Sequence, residues 1–134
     1  MEVFVSYSSN DLPKVTRLVN DLRSAGLSVW FDEDEILPGD DIMEKISAGI
    51  KASRHYVICL SPSFDQKPPT SWVKREFKQA MLKEIKETKA CIVPVRIKSG
   101  GGIPDELGDR AYADLSKSKR WQKNFPRLVR KLQT

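Results

Sequence analysis

Trp72 and Glu76, in the run Trp72-Val73-Lys74-Arg75-Glu76, are among the residues whose types and spacing could do chemistry. A spacing of four puts both side chains on one face of a helix, while Val73, Phe77 and Ala80 take the face that looks to a core. A carboxylate held beside an indole can stabilise a developing positive charge, with the ring as a flat wall for a bound molecule. From the residues alone, a solvated glutamate paired with a lysine is the commoner fate of Glu76, and a tryptophan packed under the Pro68-Pro69 loop is as frequent an outcome as ligand contact. Further polar groups stand where other elements end. Ser8, Ser9 and Ser63 can donate hydrogen bonds to ligand oxygens. Asp32 closes a strand, as a turn-forming carboxylate or as a ligand contact. Trp30, expected half-buried within that strand, and Tyr7, at the end of the first one, are either packing aromatics or part of a site.

The elements that must position these groups are legible from periodicity. Glu2 to Ser6 reads as a short strand ending in the polar turn Tyr7-Ser8-Ser9-Asn10-Asp11, which holds several possible helix caps. Leu12, Val15, Leu18, Val19 and Leu22 recur at helical intervals up to the stop at Gly26. Leu27 to Phe31 predicts a second strand, closed by the acidic stretch Asp32 to Glu35 and the turn Leu37-Pro38-Gly39-Asp40. Asp40 or Asp41 should cap a helix whose Ile42, Ile46 and Ile50 share a face. His55 to Leu60 is an unbroken apolar run, as in a central parallel strand covered on both sides. A loop from Ser61 to Thr70, a helix from Ser71 to about Glu87 and a buried strand from Ala90 to Ile97 should follow. The tract Gly100-Gly101-Gly102 precedes a weak edge segment around Ala111 to Leu115. Trp121, Phe125, Leu128, Val129 and Leu132 mark one face of a closing helix, which Pro126 should restart or kink.

Strands alternating with helices imply right-handed parallel crossovers, and hence a flavodoxin-like, doubly wound α/β sheet of four to five strands with helices on both faces. In such sheets the ligand crevice lies beyond the carboxyl ends of the strands, which singles out the segments Ser6 to Asn10, Asp32 to Gly39, Ser61 to Ser63 and the first turns after Ser71.

A length of 134 residues fits one domain, and no apolar run approaches the ~20 residues that span a bilayer. No secretory signal opens the chain, so a cytoplasmic location is expected. Cys59 and Cys91 lie in β-branched runs and read as buried reduced thiols. With His55 as the lone histidine and no Cys-x-x-Cys pair, a zinc site has no ligands to build from; His55, at the start of a strand, reads as structural. The formal charge of +5 comes from 23 basic against 18 acidic residues, and the signs are segregated. Acids crowd Asp32 to Glu44 and bases Lys117 to Lys131. A basic terminal helix is more often a solvated face than a nucleic-acid stripe, so nucleic acid is not an expected partner.

Three segments then resemble one family. Val3-Phe4-Val5-Ser6-Tyr7-Ser8 looks like the opening strand of TIR (Toll/interleukin-1 receptor/resistance protein) domains. Val29-Trp30-Phe31-Asp32 with Leu37-Pro38-Gly39 resembles their second strand and BB loop. Leu60-Ser61-Pro62-Ser63 with Trp72-Val73-Lys74-Arg75-Glu76 is similar to their third strand and W-x-x-x-E helix. The resemblance covers essentially the whole chain in order. It implies a TIR domain, residues 1–134, from a longer multidomain protein, and an NAD-cleaving activity of the kind found in prokaryotic members. Glu76 then becomes the catalytic carboxylate, and Tyr7, Ser8, Ser9, Trp30, Asp32, Leu37, Ser63 and Trp72 contact the substrate. No cofactor is implied, since NAD+ is the substrate. Departure of neutral nicotinamide from a ribosyl oxocarbenium ion needs one carboxylate rather than the paired acids of ordinary glycosidases.

The same resemblance implies immune or antiphage defence signalling and TIR–TIR self-association through Ile36, Leu37, Pro38 and Gly39, whose apolar members among acids need a partner surface. A non-enzymatic adaptor is compatible with the same motifs. A receiver domain is not, because no acidic pair follows the first strand and no acceptor aspartate ends the third. A dinucleotide dehydrogenase lacks its G-x-G-x-x-G. A nucleoside deoxyribosyltransferase shares only the logic of a carboxylate at a ribosyl carbon.

Overall fold

The computed structural model describes residues 2–65, 91–100 and 110–134. The expected helix from Ser71 to about Glu87, with Trp72 and Glu76 on it, lies outside the described residues, as do Gly101 and Gly102.

Five parallel strands, β1 (Val3–Ser6), β2 (Val29–Trp30), β3 (His55–Leu60), β4 (Cys91–Arg96) and β5 (Ala113–Asp114), form one sheet in the order β2-β1-β3-β4-β5. The unbroken apolar run is the middle strand, as its lack of a polar face requires, and all six of its residues are buried. Helices α1 (Leu12–Ser24) and α3 (Ile42–Ala52) follow β1 and β2, and α5 (Ser118–Leu132) closes the chain. Single helical turns, α2 (Asp32–Glu35) and α4 (Pro62–Asp65), stand where the sequence suggested an acidic turn and a plain loop.

Period-two alternation along the strands builds two cores. Val3, Val5, Val29, Val57, Cys59, Val93 and Val95 look to one face, where Val15, Leu18, Val19 and Leu22 of α1 and Trp121, Leu128 and Leu132 of α5 cover them. Phe4, Trp30, Tyr56, Ile58, Leu60 and Ile92 look to the other, against Ile46 and Ile50 of α3. Burying each such aliphatic side chain contributes about 1.5–3 kcal/mol. The doubly wound arrangement follows from this two-sided burial.

The helix ends obey local chemistry. Gly26, at φ +92°, closes α1 with its N–H donating to the Arg23 carbonyl and the Leu27 N–H donating to the Leu22 carbonyl, a Schellman stop. Asp41, not Asp40, caps α3: its carboxylate accepts from the Glu44 N–H at 2.9 Å. Asp40 instead closes the preceding turn. Its carboxylate accepts the Leu37 N–H at 2.9 Å, and its own N–H donates to the Leu37 carbonyl at 3.0 Å. Pro38 followed by Gly39 at φ +95° is the pairing a type II turn demands.

Ile42, on the same face as Ile46 and Ile50, is 47% exposed, whereas Met43 packs partly buried against the Phe4–Trp30 core. Pro126 does not start a fresh helix: α5 runs through it. Pro126 and Gln122, whose carbonyl it leaves without an intrahelical donor, both lie on the exposed face.

Candidate functional site at the carboxyl rim

Parallel pairing brings the ends of all five strands to one edge, so the segments after β1, β2 and β3 meet there. Two predicted site residues touch directly. The Tyr7 hydroxyl donates to Asp32 Oδ1 at 2.6 Å, tying the end of β1 to the start of α2. Tyr7 itself is 3% exposed and lies tilted against Phe31, so its ring packs while its hydroxyl orients the carboxylate. Burial raises the Asp32 pKa above the ordinary carboxylate value, the Tyr7 hydrogen bond lowers it in part, and the neighbouring Glu33 charge raises it again. A half-buried acid with a raised pKa at a rim is the electrostatic signature of a site, shared by some purely structural acids.

Ser8 is buried, whereas Ser9 is exposed at the start of a short 3₁₀ turn, Ser9–Asp11. Ser63 is half-buried in α4. Trp30 is not half-buried as expected but 5% exposed. It faces the α3 side, stacked on Phe4 with ring centroids 4.6 Å apart. Small Gly49 of α3 makes room for it: a Cβ there would stand 2.6 Å from the indole nitrogen. Ile36 is half-buried against the same cluster, leaving Leu37, 60% exposed, as the apolar tip of the Leu37-Pro38-Gly39 turn. Trp72 and Glu76 lie outside the described residues.

Among the described residues, the most buried charge at the rim is one that no local sequence pattern singles out. Asp11, read only as one of several caps, caps nothing with its side chain and is 0% exposed. Its carboxylate accepts from the Ser61 hydroxyl after β3, and the Lys98 ammonium after β4 stands 2.8 Å from the other oxygen. Among the described residues that oxygen gains no well-aligned hydrogen bond, so the contact with Lys98 is chiefly ionic. Lys98 also donates to the Asn10 carbonyl at 3.4 Å. One carboxylate thus clamps the loops after three strands. No local signal could reveal it, because both partners are remote in sequence. Ser6, at the end of β1, buries a hydroxyl that finds no partner among the described residues.

Two further titratable side chains, His55 and Cys59, are buried in β3. His55 is 6% exposed at the start of β3. Burial, then the Lys131 and Arg54 charges, lowers its pKa against a smaller opposing effect of Glu2. Cys59 is a buried free thiol whose pKa burial pushes far above the ordinary thiol range. Among the described residues no cluster of His, Cys, Asp and Glu could hold a metal ion, and no helix is long and apolar enough to cross a membrane.

A doubly wound parallel sheet with polar groups gathered at its carboxyl rim defines an α/β protein of the flavodoxin-like architecture. Within that class the chain belongs to the TIR domain family, whose model it matches over residues 3–129. It is 35% identical over 95 residues to a probable 2′ cyclic ADP-D-ribose synthase, TcpO, of Methanobrevibacter olleyae, a match covering 70% of this chain and 26% of that protein. It is 32% identical over 95 residues to the 2′ cyclic ADP-D-ribose synthase BtTIR of Bacteroides thetaiotaomicron, covering 70% and 32%. The chain therefore spans only about a quarter to a third of these relatives' lengths. In fold it resembles the TIR domain of the Toll-related receptor TRR-2 from Hydra magnipapillata, with a TM-score of 0.81, 20% identity and 98% of each chain covered.

Proposed function

We propose that this TIR domain cleaves the nicotinamide–ribose bond of NAD+, with Glu76 as its carboxylate. The observation that carries the reading is the likeness, at 35% and 32% identity, to proteins named as cyclic ADP-ribose synthases, in a chain that keeps both ends of the W-x-x-x-E motif, Trp72 and Glu76. The rim supports it: Asp32 is fixed by Tyr7, and Ser9 and Ser63 offer accessible hydroxyls for ribose or phosphate oxygens.

In the proposed reaction the bond between ribose C1′ and the pyridine nitrogen breaks. Its electron pair leaves with nicotinamide, which departs neutral without needing a general acid. The ribosyl cation, stabilised by the Glu76 carboxylate, is captured by water to give ADP-ribose and a proton, or by a hydroxyl of the same molecule to give a cyclic isomer. No cofactor enters this scheme. Leu37, raised on the Pro38-Gly39 turn and exposed, provides the contact for self-association that completes the site, within a cytoplasmic defence response of the kind the motif resemblance implies.

The test is nicotinamide release from NAD+ at high protein concentration, for the wild type beside Glu76→Ala. We expect release that rises with concentration and is lost in the variant. Equal rates in the two proteins remove Glu76 from the mechanism. No release at any concentration leaves a docking module that acts through contacts alone.

A further inference from the structure

The strand order β2-β1-β3-β4-β5 puts the topological switch point between β1 and β3, where sheets of this order open a ligand crevice beyond the carboxyl ends of the strands. Lys98 carries an ammonium across that point. It follows β4, yet its Nζ stands 2.8 Å from Asp11 Oδ1 and donates to the Asn10 carbonyl at 3.4 Å, both in the loop after β1. β3 separates β1 from β4, which are two strand spacings, about 9.5 Å, apart. The side chain therefore passes over the end of β3, where the Ser61 hydroxyl holds the other Asp11 oxygen.

The lysine is anchored at both ends. The Ile97 N–H donates to the Leu60 carbonyl at 2.9 Å, and the Ile97 carbonyl accepts from the Lys14 ammonium at 3.2 Å, so the backbone just before Lys98 is tied to β3 and to α1. Gly100, at φ +90°, runs so close to α4 that a Cβ there would stand 3.2 Å from Pro62 Cγ. At the far end, Asp11 is 0% exposed whereas the Lys98 side chain is 39% exposed. The carboxylate thus lies behind the ammonium, which neutralises it, and a ligand arriving at the rim meets the positive charge first. An ammonium has three donors. One goes to Asn10, and the contact with Asp11 is chiefly ionic, so among the described residues donor capacity is left for a ligand. The rotamer freedom that an ordinary surface lysine loses on gripping an anion is already lost here.

We propose that Lys98 binds the diphosphate of the dinucleotide, a ligand identity that rests on the NAD+ reading above. A compact point charge suits a diphosphate, which presents anionic oxygens in several directions. The accessible hydroxyls of Ser9, on the loop that Lys98 grips, and of Ser63, on α4, belong to the same edge of the sheet and supply neutral donors beside the charge.

The experiment titrates the chain with ADP-ribose, which carries the same diphosphate, at the protein concentration used for nicotinamide release. Backbone amide shifts are followed for the wild type, Lys98→Gln and the double variant Asp11→Asn/Lys98→Gln. Expected are saturable shifts at Asn10 and Lys98 in the wild type, an affinity lower by about tenfold or more in Lys98→Gln, and a salt dependence of the wild-type affinity that is flatter in the variant. The double variant removes the carboxylate that Lys98→Gln leaves buried and unpaired; its spectrum reports that the fold is kept, and it should bind as weakly as Lys98→Gln. The proposal is overturned if the wild type shows no saturable shifts, if the shifts spare Asn10 and Lys98, if Lys98→Gln keeps the affinity or the salt dependence of the wild type, or if the double variant regains wild-type affinity. That last result would trace the loss to the stranded Asp11 charge rather than to a missing contact. Binding needs no turnover. The expected affinities without nicotinamide release would sink the catalytic reading alone, and release with unchanged affinity in Lys98→Gln would sink this proposal alone.

Discussion

Replacing Gly49 by alanine tests the packing that holds Trp30 beneath the rim. An added Cβ would stand 2.6, 2.7 and 2.8 Å from Nε1, Cε2 and Cδ1 of the indole, whereas comfortable contacts are about 3.5–4.0 Å. Roughly 1 Å of separation must open between α3 and the ring. The indole has no room to retreat, since it is 5% exposed and its other face lies on Phe4 at an interplanar angle of 14°. Overpacking of this kind costs about 1–3 kcal/mol. Against it stands the gain of about 1 kcal/mol that alanine brings over glycine inside a helix. The net expectation is a destabilisation of about 1 kcal/mol, which lowers the melting midpoint by roughly 2–8 °C in a chain of this size. Urea unfolding of the wild type, Gly49→Ala, Trp30→Leu and the double variant separates the two terms. With the ring gone, Gly49→Ala should stabilise by about 1 kcal/mol, giving a coupling of about 1–3 kcal/mol. If Gly49→Ala stabilises the wild type as much as it stabilises the Trp30→Leu protein, the clash does not exist and the reasoning fails.

Two other outcomes are expected. Because the folded-state pKa of Asp32 is raised, its contribution is fully present below the ordinary value of 3.8 and is lost as pH rises through the folded pKa. Asp32→Asn, which still accepts the Tyr7 proton, should therefore gain stability relative to the wild type on going from acid to neutral pH; a difference that is flat or slopes the other way in denaturant titrations across that range removes the desolvation argument. Leu37→Ser should change stability by less than about 0.5 kcal/mol, since the side chain is largely in water, yet weaken self-association in sedimentation at high concentration; association identical to the wild type would show that this turn is not the contact.

Where one element decides its own structure, the sequence was a sufficient guide. The run from His55 to Leu60 has no polar face, so it could only be a strand with neighbours on both sides, and it is the middle one. The three- and four-residue recurrence in Leu12 to Leu22 required a sheet to cover, and Gly26 required a stop. Legibility ended where a residue's state depends on a distant partner. Trp30 reads as half-buried from its strand alone, because nothing within the strand announces that Gly49 clears a space for the indole. Ile36 and Leu37 are alike in local sequence, and only the position of the Phe4–Trp30 cluster sends one inward and the other out.

Asp11 carries the same argument into the site. In a polar turn before a helix, a capping role is the favoured local use of an aspartate. Here the carboxylate turns away from the helix because Ser61 and Lys98, contributed by the ends of β3 and β4, offer it a hydroxyl and an ammonium. Burying an acid is tolerable only with such partners, so the clamp can form only once three strands are in parallel register. The rim's geometry is therefore a consequence of the sheet rather than of any loop motif. Changes to Asp11 should accordingly act through the mutual placement of Ser8, Ser9 and Ser63 at the rim.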